Sequence, residues 1–503
     1  MDGSVAVVNT TKLFNPFETF LTVGTVSFCP DGYWLDCLSL IIAAKLKDKG
    51  YNVQYVDGDN RMIPPRKLGG IINRLKPKVV ILNTETIDYF RAPLSSYENI
   101  NTIVDCIVDD DIVVIVYGTH PCIELMGLSE RVNCVVKGEG DAIIPKVVDD
   151  VFGNCFSEWE VALDKGAKVF RVEDLDELPF PAYDMAKSIP QECSNFAYEK
   201  FNQMKFTQSV LSRGCKIPLQ SGEDEPACKF CCRLATGTRY RAMSPGRVVE
   251  YFRYLKSFGY ESTYIIDDCF AADQNWGKEV CRALINDKNE IKFSVQTRVD
   301  VVLDNHLVEL MKRAGCVMIG LGIESYNNDL LKKMEKKLAC EMIDEALNNC
   351  HFNDIDVTAF LQLGLPGEDQ HHRSYTEFFL QKMFKDEKIF ASGPFLSCPY
   401  VGSIGWEKSK DSYPYFTVLE SMLRAGLGDK DINDVYSSRK MFINYDLGES
   451  VFKDVPGPTT HSKVWSRPAS ILQQIQQYRP DVFSQWWKYI THIGWNDKLR
   501  DFF

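Results

Sequence analysis

Hydrophobic and polar positions in the first 150 residues form short apolar runs separated by amphipathic segments, the pattern of a doubly wound α/β sheet. One helix is predicted over Trp34–Lys49, with Gly50 as its C-cap. Ligands of such sheets bind at the carboxyl ends of the strands, so the loops at 83–86, 118–121 and 138–141 form the predicted binding rim. The predicted strands are Val23–Cys29, Tyr51–Val56, Val79–Leu82, Ile112–Tyr117 and Cys134–Val136.

A second series of apolar runs and amphipathic segments begins near residue 209 and continues to about residue 380. Its predicted helices include Val248–Phe258 and Asp304–Ala314. A regular βα repeat of this length predicts a full or partial parallel barrel. The predicted strands are Ser209–Leu211, Ser262–Ile266, Lys292–Gln296, Met318–Gly322 and Thr358–Gly364.

The chain is expected to divide into two α/β domains, a linker between them and a C-terminal region. The closely spaced Pro179 and Pro181 resist regular structure and indicate a connector. The C-terminal region is aromatic-rich and helical in pattern, so we expect it to pack over the substrate. The predicted boundaries are 1–155 for the first domain, 156–205 for the linker, 206–380 for the barrel and 381–503 for the mainly helical C-terminal region.

Charge and composition narrow the classes of partner. The 503 residues include 57 Lys and Arg against 69 Asp and Glu, a formal net charge of −12. This acidity opposes nonspecific attraction to nucleic acid or to an anionic membrane and favours a small or cationic substrate. No apolar run approaches the ~18 residues that span a bilayer, and the N-terminus lacks the layout of a signal peptide. We therefore expect a cytoplasmic protein that binds neither nucleic acid nor membrane.

The 17 cysteines include one set with the spacing of metal ligands. Cys215 is followed, after twelve intervening residues, by Cys228 and Cys231. Three thiolates can bind three irons of a [4Fe-4S] cluster. The fourth iron can then chelate S-adenosylmethionine and pass it an electron, which releases a 5′-deoxyadenosyl radical. A structural zinc, a reducible disulfide and chance clustering are alternatives, because zinc sites and iron–sulfur clusters share the C-x-x-C pair.

Further motifs accompany these cysteines in a fixed order. They are Tyr117–Pro121, Gly138–Asp141, Leu178–Pro181, Ser212–Cys215, Cys228–Cys231, Tyr240–Pro245, Asp267–Phe270, Thr297–Asp300, Gly322–Ser325 and Gly364–Glu368. With these motifs the chain resembles the cobalamin-dependent radical S-adenosylmethionine (radical SAM) enzymes of the class B methylase type, from about Val23 to Glu368. Each motif alone is weak, whereas their order and spacing together are typical of the family.

The resemblance implies a Rossmann-like cobalamin-binding domain, a radical SAM domain built as a partial TIM barrel, and three groups of cofactor-binding residues. A structural role is the alternative for each residue: a salt bridge at the barrel rim, a glycine turn or a buried histidine. The implied residues are Cys215, Cys228 and Cys231 for the [4Fe-4S] cluster; Arg298, Glu324, Asp267, Asp268 and Gly364 for S-adenosylmethionine; and Gly118, Thr119, His120, Gly138 and Glu139 for cobalamin.

Two features depart from the family pattern. The family spacing is C-x-x-x-C-x-x-C, whereas Lys216–Ala227 separates the first two cysteines here. Loop-closure entropy grows slowly with length, so the ends of this insertion can still lie close together. The Asp-x-His-x-x-Gly element of the methionine-synthase type is absent from the N-terminal domain. Many family members bind cobalamin without that histidine.

The resemblance implies a C-methyltransferase that acts on an unactivated carbon of a small molecule, such as a natural product or a cofactor precursor. A 5′-deoxyadenosyl radical would activate the carbon, methylcobalamin would supply the methyl group, and a flavodoxin or ferredoxin would supply electrons. A peptide substrate is a further possibility.

Three alternatives stay open. The first is a cobalamin-dependent cyclase or ring-rearranging enzyme without methyl transfer. The second is a methylthiotransferase, although Cys29 and Cys37 have no obvious third partner for the additional cluster of that family, and the acidity argues against tRNA. The third is a non-catalytic cofactor-binding module, which the altered cysteine spacing suggests.

Overall fold

In a computed structural model of the chain, the described residues form two parallel β-sheets flanked by helices. No helix in this part of the chain is long and apolar enough to cross a membrane. The structure describes residues 4–9, 36–58, 63, 65–84, 96–118, 122, 128–155, 169–186, 204–215, 228, 231, 236–237, 239–363, 365, 371–372, 375, 378–379, 382–383, 386, 388–389 and 391–396.

The first sheet has five strands, and every neighbouring pair in it is parallel. Its strands are β1 Ser4–Asn9, β2 Asn52–Asp57, β3 Val79–Asn83, β4 Val113–Gly118 and β5 Cys134–Lys137, and the helices around it are α1 Cys37–Asp48, α2 Pro65–Leu75, α3 Ser96–Asp105 and α4 Ile144–Phe152. The spatial order is β2-β1-β3-β4-β5. The order reverses direction between β1 and β3, which makes the carboxyl ends of these two strands the expected ligand crevice.

Both faces of the first sheet are covered by apolar side chains. Alternate residues of β1 enter different cores: Val5 and Val7 pack with α1 and α4, whereas Ala6 and Val8 pack with α2 and α3. A sheet that is buried on both faces reads as continuous apolar runs, which is why β3, β4 and β5 were predictable within a residue or two.

The first strand differs from the sequence prediction. The structure places β1 at Ser4–Asn9, in the interior of the sheet, whereas the sequence analysis assigned the first strand to Val23–Cys29. Both runs are apolar and both precede α1. Ser4–Asn9 pairs in parallel with Asn52–Asp57 on one side and with Val79–Asn83 on the other, and local periodicity does not contain that information. Val23–Cys29 lies outside the described residues.

The second sheet has six strands, and all of its neighbouring pairs are also parallel. Its strands are β6 Phe206–Ser209, β9 Ser262–Ile265, β10 Lys292–Arg298, β11 Cys316–Glu324, β12 Asp356–Leu363 and β13 Ala391–Leu396. A separate, short antiparallel pair follows β6 in the chain and consists of β7 Ser212–Arg213 and β8 Arg241–Ala242. The helices are α5 Pro245–Ser257, α6 Gln274–Asn286, α7 Asn305–Ala314, α8 Asn328–Lys333 and α9 Cys340–Phe352. The order β6-β9-β10-β11-β12-β13 follows the chain, with helices between successive strands from β6 to β12, as in a βα series.

Two strands of the second sheet differ from the sequence prediction. The strand expected at Ser209–Leu211 lies earlier, at Phe206–Ser209, because it pairs with Ser262–Ile265 in that register. The strand Ala391–Leu396 was not predicted, since Gly393 and Pro394 are poor strand formers. It lies at the edge of the sheet, where proline is tolerated, and it extends the sheet to residue 396.

A glycine cap between α7 and β11 gives a test of the fold. Gly315 has a φ of 110°, and a Cβ there would lie 2.9 Å from the carbonyl oxygen of Ile291. We expect Gly315→Ala to destabilise the protein by about 1–2 kcal/mol or more, because L-residues are strained in this region and the backbone oxygen cannot move freely. Gly246 has open space around it, so Gly246→Ala is expected to be neutral or stabilising by up to about 1 kcal/mol. Chemical denaturation of both variants checks this, and equal effects would contradict it.

Candidate functional site

The carboxyl ends of two neighbouring strands bring Arg298 and Glu324 to one edge of the second sheet. Arg298 is the last residue of β10, and Glu324 is the last residue of β11. The register pairs Arg298 with Gly322, two residues before Glu324. Both side chains are buried. The structure therefore brings together two of the residues that the sequence assigned to S-adenosylmethionine.

Two of the three motif cysteines are buried beside this edge. The Nη1 atom of Arg298 donates to the Sγ atom of Cys228 across 3.6 Å, and Arg298 also interacts electrostatically with Cys215. The backbone N–H of Cys231 donates to the carbonyl oxygen of Cys228 at 3.1 Å, which closes the C-x-x-C turn. Among the residues that the structure describes, no three His, Cys, Asp or Glu side chains converge closely enough to hold a single metal ion.

Arg298 is held in place by three acceptors. Its Nε atom donates to Asp300 at 2.8 Å, and its Nη2 atom donates to the carbonyl oxygen of Lys336 at 3.0 Å, while Nη1 points to Cys228. Burial acts to lower the pKa of Arg298, but the negative charge of Asp300 and electrostatic interactions with the nearby cysteines raise it above its ordinary value. A permanently charged donor of this kind can stabilise a reduced, more negative cluster.

Glu324 belongs to a buried pair of opposite charges. Lys336 Nζ donates to its Oε1 atom at 2.8 Å, and Gln362 Nε2 donates to its Oε2 atom at 2.8 Å. Glu324 has a φ of 65°, an uncommon conformation for a residue other than glycine. A Cβ on Gly322 would lie 3.1 Å from both Glu324 Oε1 and Lys336 Nζ, so glycine there leaves space for the pair.

Lys336 was not predicted as a site residue, because it lies in a lysine-rich segment of the kind that is usually exposed to solvent. Its side chain is only 5% exposed. Burial acts to lower the pKa of Lys336, but the charges of Glu324 and Cys228 raise it overall, so the ammonium is retained next to the cysteines. The site therefore has two buried cations, Arg298 and Lys336, on the side of Cys228.

Asp267 and Asp268 hold the loop that leads to Cys215. Asp267 accepts from the backbone N–H of Leu211 at 2.7 Å and from the hydroxyl of Ser212 at 2.6 Å, and Asp268 accepts from the N–H of Gly214 at 2.7 Å. Burial raises the pKa of Asp267 to about 7 despite these hydrogen bonds. The observed contacts of both carboxylates shape the cysteine loop, and a contact with S-adenosylmethionine stays a prediction.

A fourth thiol lies at the same site and was not found from the sequence. Cys269 is buried between Cys215 and Thr297, and its Sγ atom is 3.5 Å from Thr297 Oγ1. Hydrogen bonding to Cys215 and burial raise the pKa of Cys269 well above the ordinary value. It directly follows the Asp267–Asp268 pair, but one cysteine next to two aspartates gives no recognisable ligand spacing.

An uncompensated polar group at this edge fits a ligand with hydrogen-bonding ends. Ser325 is 1% exposed, and its Oγ atom has no hydrogen-bond partner among the described residues. Buried hydroxyls normally have a partner. Together with the cations Arg298 and Lys336 and the anion Glu324, this hydroxyl matches the amino, carboxylate and ribose groups of S-adenosylmethionine. Gly364, the fifth residue predicted for that ligand, lies outside the described residues.

At the carboxyl edge of the first sheet, Gly118 and Gly138 form an isolated antiparallel bridge. Both have positive φ, 123° and 89°, and a Cβ on Gly138 would lie 2.3 Å from the carbonyl oxygen of Phe170. Glu139 is directed toward the second sheet, where its carboxylate accepts from Arg213 and Arg241. Thr119 and His120, the other predicted cobalamin contacts, lie outside the described residues.

A buried polar network lies beside the reversal point of the first sheet. Asp36 caps α1 and accepts from the backbone N–H of Ser39 at 3.0 Å, from the Ser39 hydroxyl and from the Asn83 amide. The Ser39 hydroxyl is also 2.7 Å from the hydroxyl of Tyr117. The network holds the start of α1 against the carboxyl ends of β3 and β4, next to the reversal point between β1 and β3 where doubly wound sheets bind ligands.

Comparison with known proteins identifies the class of this site. Residues 225–380, which include Cys228, Cys231, Arg298 and Glu324, match the Radical SAM superfamily. The thiols, the strand-end charges and this match define a radical SAM domain. Residues 225–380 of this chain therefore contain a radical SAM domain.

Several curated relatives are similar over a large part of the chain. An uncharacterized methyltransferase of Pyrococcus horikoshii is 22% identical over 386 residues, which cover 74% of this chain and 77% of that protein. The hopanoid C-3 methylase of Methylococcus capsulatus is 27% identical over 54% of this chain, which corresponds to half of that protein's length. The anaerobic magnesium-protoporphyrin IX monomethyl ester cyclase of Rubrivivax gelatinosus is 23% identical, and the match covers 67% of this chain and 60% of that one.

A solved structure shares the fold. The radical SAM methyltransferase TsrM from Kitasatospora setae, with cobalamin and a [4Fe-4S] cluster bound, superposes with a TM-score of 0.57 at 16% identity. The superposition covers 82% of this chain and 78% of that one. These likenesses confirm the resemblance to cobalamin-dependent radical SAM enzymes that the motifs indicated.

Proposed function

We propose that this protein is a cobalamin-dependent radical SAM methyltransferase that methylates a carbon atom of a small molecule. The observation that carries the proposal is the arrangement of Arg298, Lys336 and Glu324 beside Cys228 within a radical SAM domain. The methyltransferase and methylase names of two relatives support methyl transfer as the reaction.

In this proposal the charged groups bind the carboxylate and the amino group of one zwitterionic ligand. Arg298 and Lys336 attract the carboxylate of S-adenosylmethionine, and Glu324 accepts from its amino group. The hydroxyl of Ser325 supplies a further hydrogen bond. When bound, the [4Fe-4S] cluster supplies the electron that cleaves S-adenosylmethionine, and cobalamin supplies the transferable methyl group.

In this proposal the first sheet binds cobalamin. Its crevice at the carboxyl ends of β1 and β3 holds cobalamin, with the buried network of Asp36, Ser39, Asn83 and Tyr117 fixing the start of α1. The two sheets then present their cofactor edges as the two walls of one reaction chamber. Water exclusion from such a chamber protects a substrate radical from side reactions.

A second candidate function is ring formation without methyl transfer. The magnesium-protoporphyrin IX monomethyl ester cyclase of Rubrivivax gelatinosus matches as much of this chain as a methylase does, at similar identity. Both reactions would begin with the same cleavage of S-adenosylmethionine. They differ in whether a second molecule of S-adenosylmethionine donates its methyl group.

The proposal can be tested by anaerobic reconstitution of the full chain with iron, sulfide and hydroxocobalamin. Absorption and electron paramagnetic resonance (EPR) spectra are recorded with and without S-adenosylmethionine, and bound iron and cobalamin are measured. We expect a cluster signal that S-adenosylmethionine perturbs, together with stoichiometric cobalamin. After chemical reduction, mass spectrometry should detect both 5′-deoxyadenosine and S-adenosylhomocysteine.

The products distinguish the two candidate functions. 5′-Deoxyadenosine without S-adenosylhomocysteine favours the cyclase. A cluster without bound cobalamin rejects cobalamin-mediated methyl transfer, and zinc without a cluster rejects both functions.

A further inference from the structure

Four charged side chains are buried together where the first sheet meets the second. Glu139 and Asp141, from the first sheet's rim, are only 2% and 1% exposed at their side chains, and Arg213 and Arg241 are each 4% exposed. The two positive and two negative charges balance. Buried charges are expensive to desolvate, and hydrophobic residues of similar size often stabilise a protein equally well. Stability alone therefore does not explain why four charged side chains are buried at this position.

Each arginine of this quartet makes a bidentate contact with one carboxylate. Arg213 donates to Asp141 through Nη1 at 3.0 Å and Nη2 at 2.5 Å, and its Nη1 also donates to Glu139 at 2.8 Å. Arg241 donates to Glu139 at 2.6 and 3.0 Å. Glu139 additionally accepts from the backbone N–H of Val172 at 2.8 Å. Bidentate pairs of this kind fix orientation as well as distance.

The quartet lies two residues from the first cysteine of the cluster motif. Between Arg213 and Cys215 stands Gly214, with a φ of 81°, where a Cβ would lie 2.2 Å from the carbonyl oxygen of Arg239. On the opposite side, Asp267 and Asp268 hold the backbone of the same loop. The loop that carries Cys215 is thus held from two sides, by Asp267 and Asp268 of the second sheet and through Arg213 by the carboxylates of the first sheet.

We propose that Glu139 and Asp141 are positioning residues for the iron–sulfur cluster, acting through Arg213 on the loop that carries Cys215. The first sheet then contributes to cluster assembly as well as to cobalamin binding. This inference rests on the proposed function, because it requires that Cys215 ligate a cluster. It gives Glu139 a role different from the cobalamin contact that the sequence predicted.

The test compares cluster loading in Glu139→Gln and Asp141→Asn with that in the wild-type chain. Substitutions of groups that orient metal ligands typically lower metal affinity about 10–100-fold, and we expect a loss of this size during reconstitution at limiting iron. The EPR g values and the midpoint potential of the remaining cluster should also shift, because the geometry at Cys215 changes. Glu290→Gln, which breaks an exposed pair with Lys256, is the matched control and should change nothing.

A variant with balanced buried charges distinguishes a role of Glu139 in positioning the Cys215 loop from a role in the stability of the whole protein. In Glu139→Gln/Arg241→Gln, one charge of each sign is removed, so the buried charges balance again. If Glu139 positions the loop, this variant recovers thermal stability but not cluster loading. Recovery of both would overturn the inference, as would an unchanged cluster in the single variants.

Two further outcomes are distinguishable. If Glu139→Gln does not fold, Arg213→Lys keeps the charge but cannot reach both carboxylates with a planar fork, and the same loss of loading is expected. Full loading in a folded Arg213→Lys variant would overturn the inference. A wild-type chain that binds no cluster overturns the proposed function and this inference together.

Discussion

Cys228→Ala is expected to abolish cluster binding and S-adenosylmethionine cleavage. A [4Fe-4S] cluster carries four irons, so iron after reconstitution should fall from ~4 to below ~1 per chain. Two effects combine: the proposed cluster loses one of its three cysteine ligands, and Arg298 loses the sulfur atom to which its Nη1 donates. Iron and sulfide analysis, EPR of the reduced protein and detection of 5′-deoxyadenosine measure the result.

A cysteine in a different environment provides the control for this experiment. Cys281 is fully buried in α6, where burial raises the pKa of its thiol to about 12, so it is a poor ligand. Cys281→Ala should retain the full cluster. Full activity in Cys228→Ala, or equal iron loss in both variants, would show that the assignment of the cluster is wrong.

The parallel strands were predictable from the sequence where burial on both faces leaves a continuous apolar run. β3 and β11 are examples, since almost every side chain in them is buried. Strands were missed where their place in the sheet depends on pairing with strands that are distant in sequence. Ser4–Asn9 was missed because contacts with two distant strands, Asn52–Asp57 and Val79–Asn83, place it in the sheet. Ala391–Leu396 was missed because its Gly and Pro are acceptable only at the sheet edge.

The candidate site was predictable where motif residues occupy strand ends. Arg298 and Glu324 end adjacent parallel strands, and such ends converge by geometry. Lys336 was missed because it lies among four other charged residues in the segment 332–337. The structure buries Met334, Lys336 and Leu338 in a turn, with Glu335 and Lys337 at positive φ, so no strand or helix periodicity marks Lys336 in the sequence.

The partners of Glu139 could not be predicted from its motif. Glu139 and Asp141 follow a strand of the first sheet, which suggested a contact with a ligand of that sheet. The residues that bind them, Arg213 and Arg241, come from the second domain, at positions 72 and 102 residues away in the chain. A buried ion pair leaves no periodic signal, because a charged residue in sequence reads as exposed.

Lys336→Met is expected to lower the stability of the protein and to abolish S-adenosylmethionine cleavage. The substitution leaves the buried carboxylate of Glu324 without its cation, with only Gln362 as a donor. Breaking a buried pair in this way costs about 3–5 kcal/mol. In the proposed site it also removes a charge that holds the carboxylate of S-adenosylmethionine. Denaturant unfolding and 5′-deoxyadenosine formation measure the two losses separately.

Removing both charges of the pair distinguishes a structural role from a role in cofactor binding. In Lys336→Met/Glu324→Gln no uncompensated charge remains, so most of the lost stability should return, since a buried pair is often replaceable by neutral groups. S-Adenosylmethionine cleavage should stay abolished, because both ligand-binding charges are absent. Lys256→Met, at the exposed pair with Glu290, controls for loss of a lysine and should cost less than about 1 kcal/mol. Recovery of cleavage in the double variant would show that the pair is structural and that S-adenosylmethionine binds elsewhere.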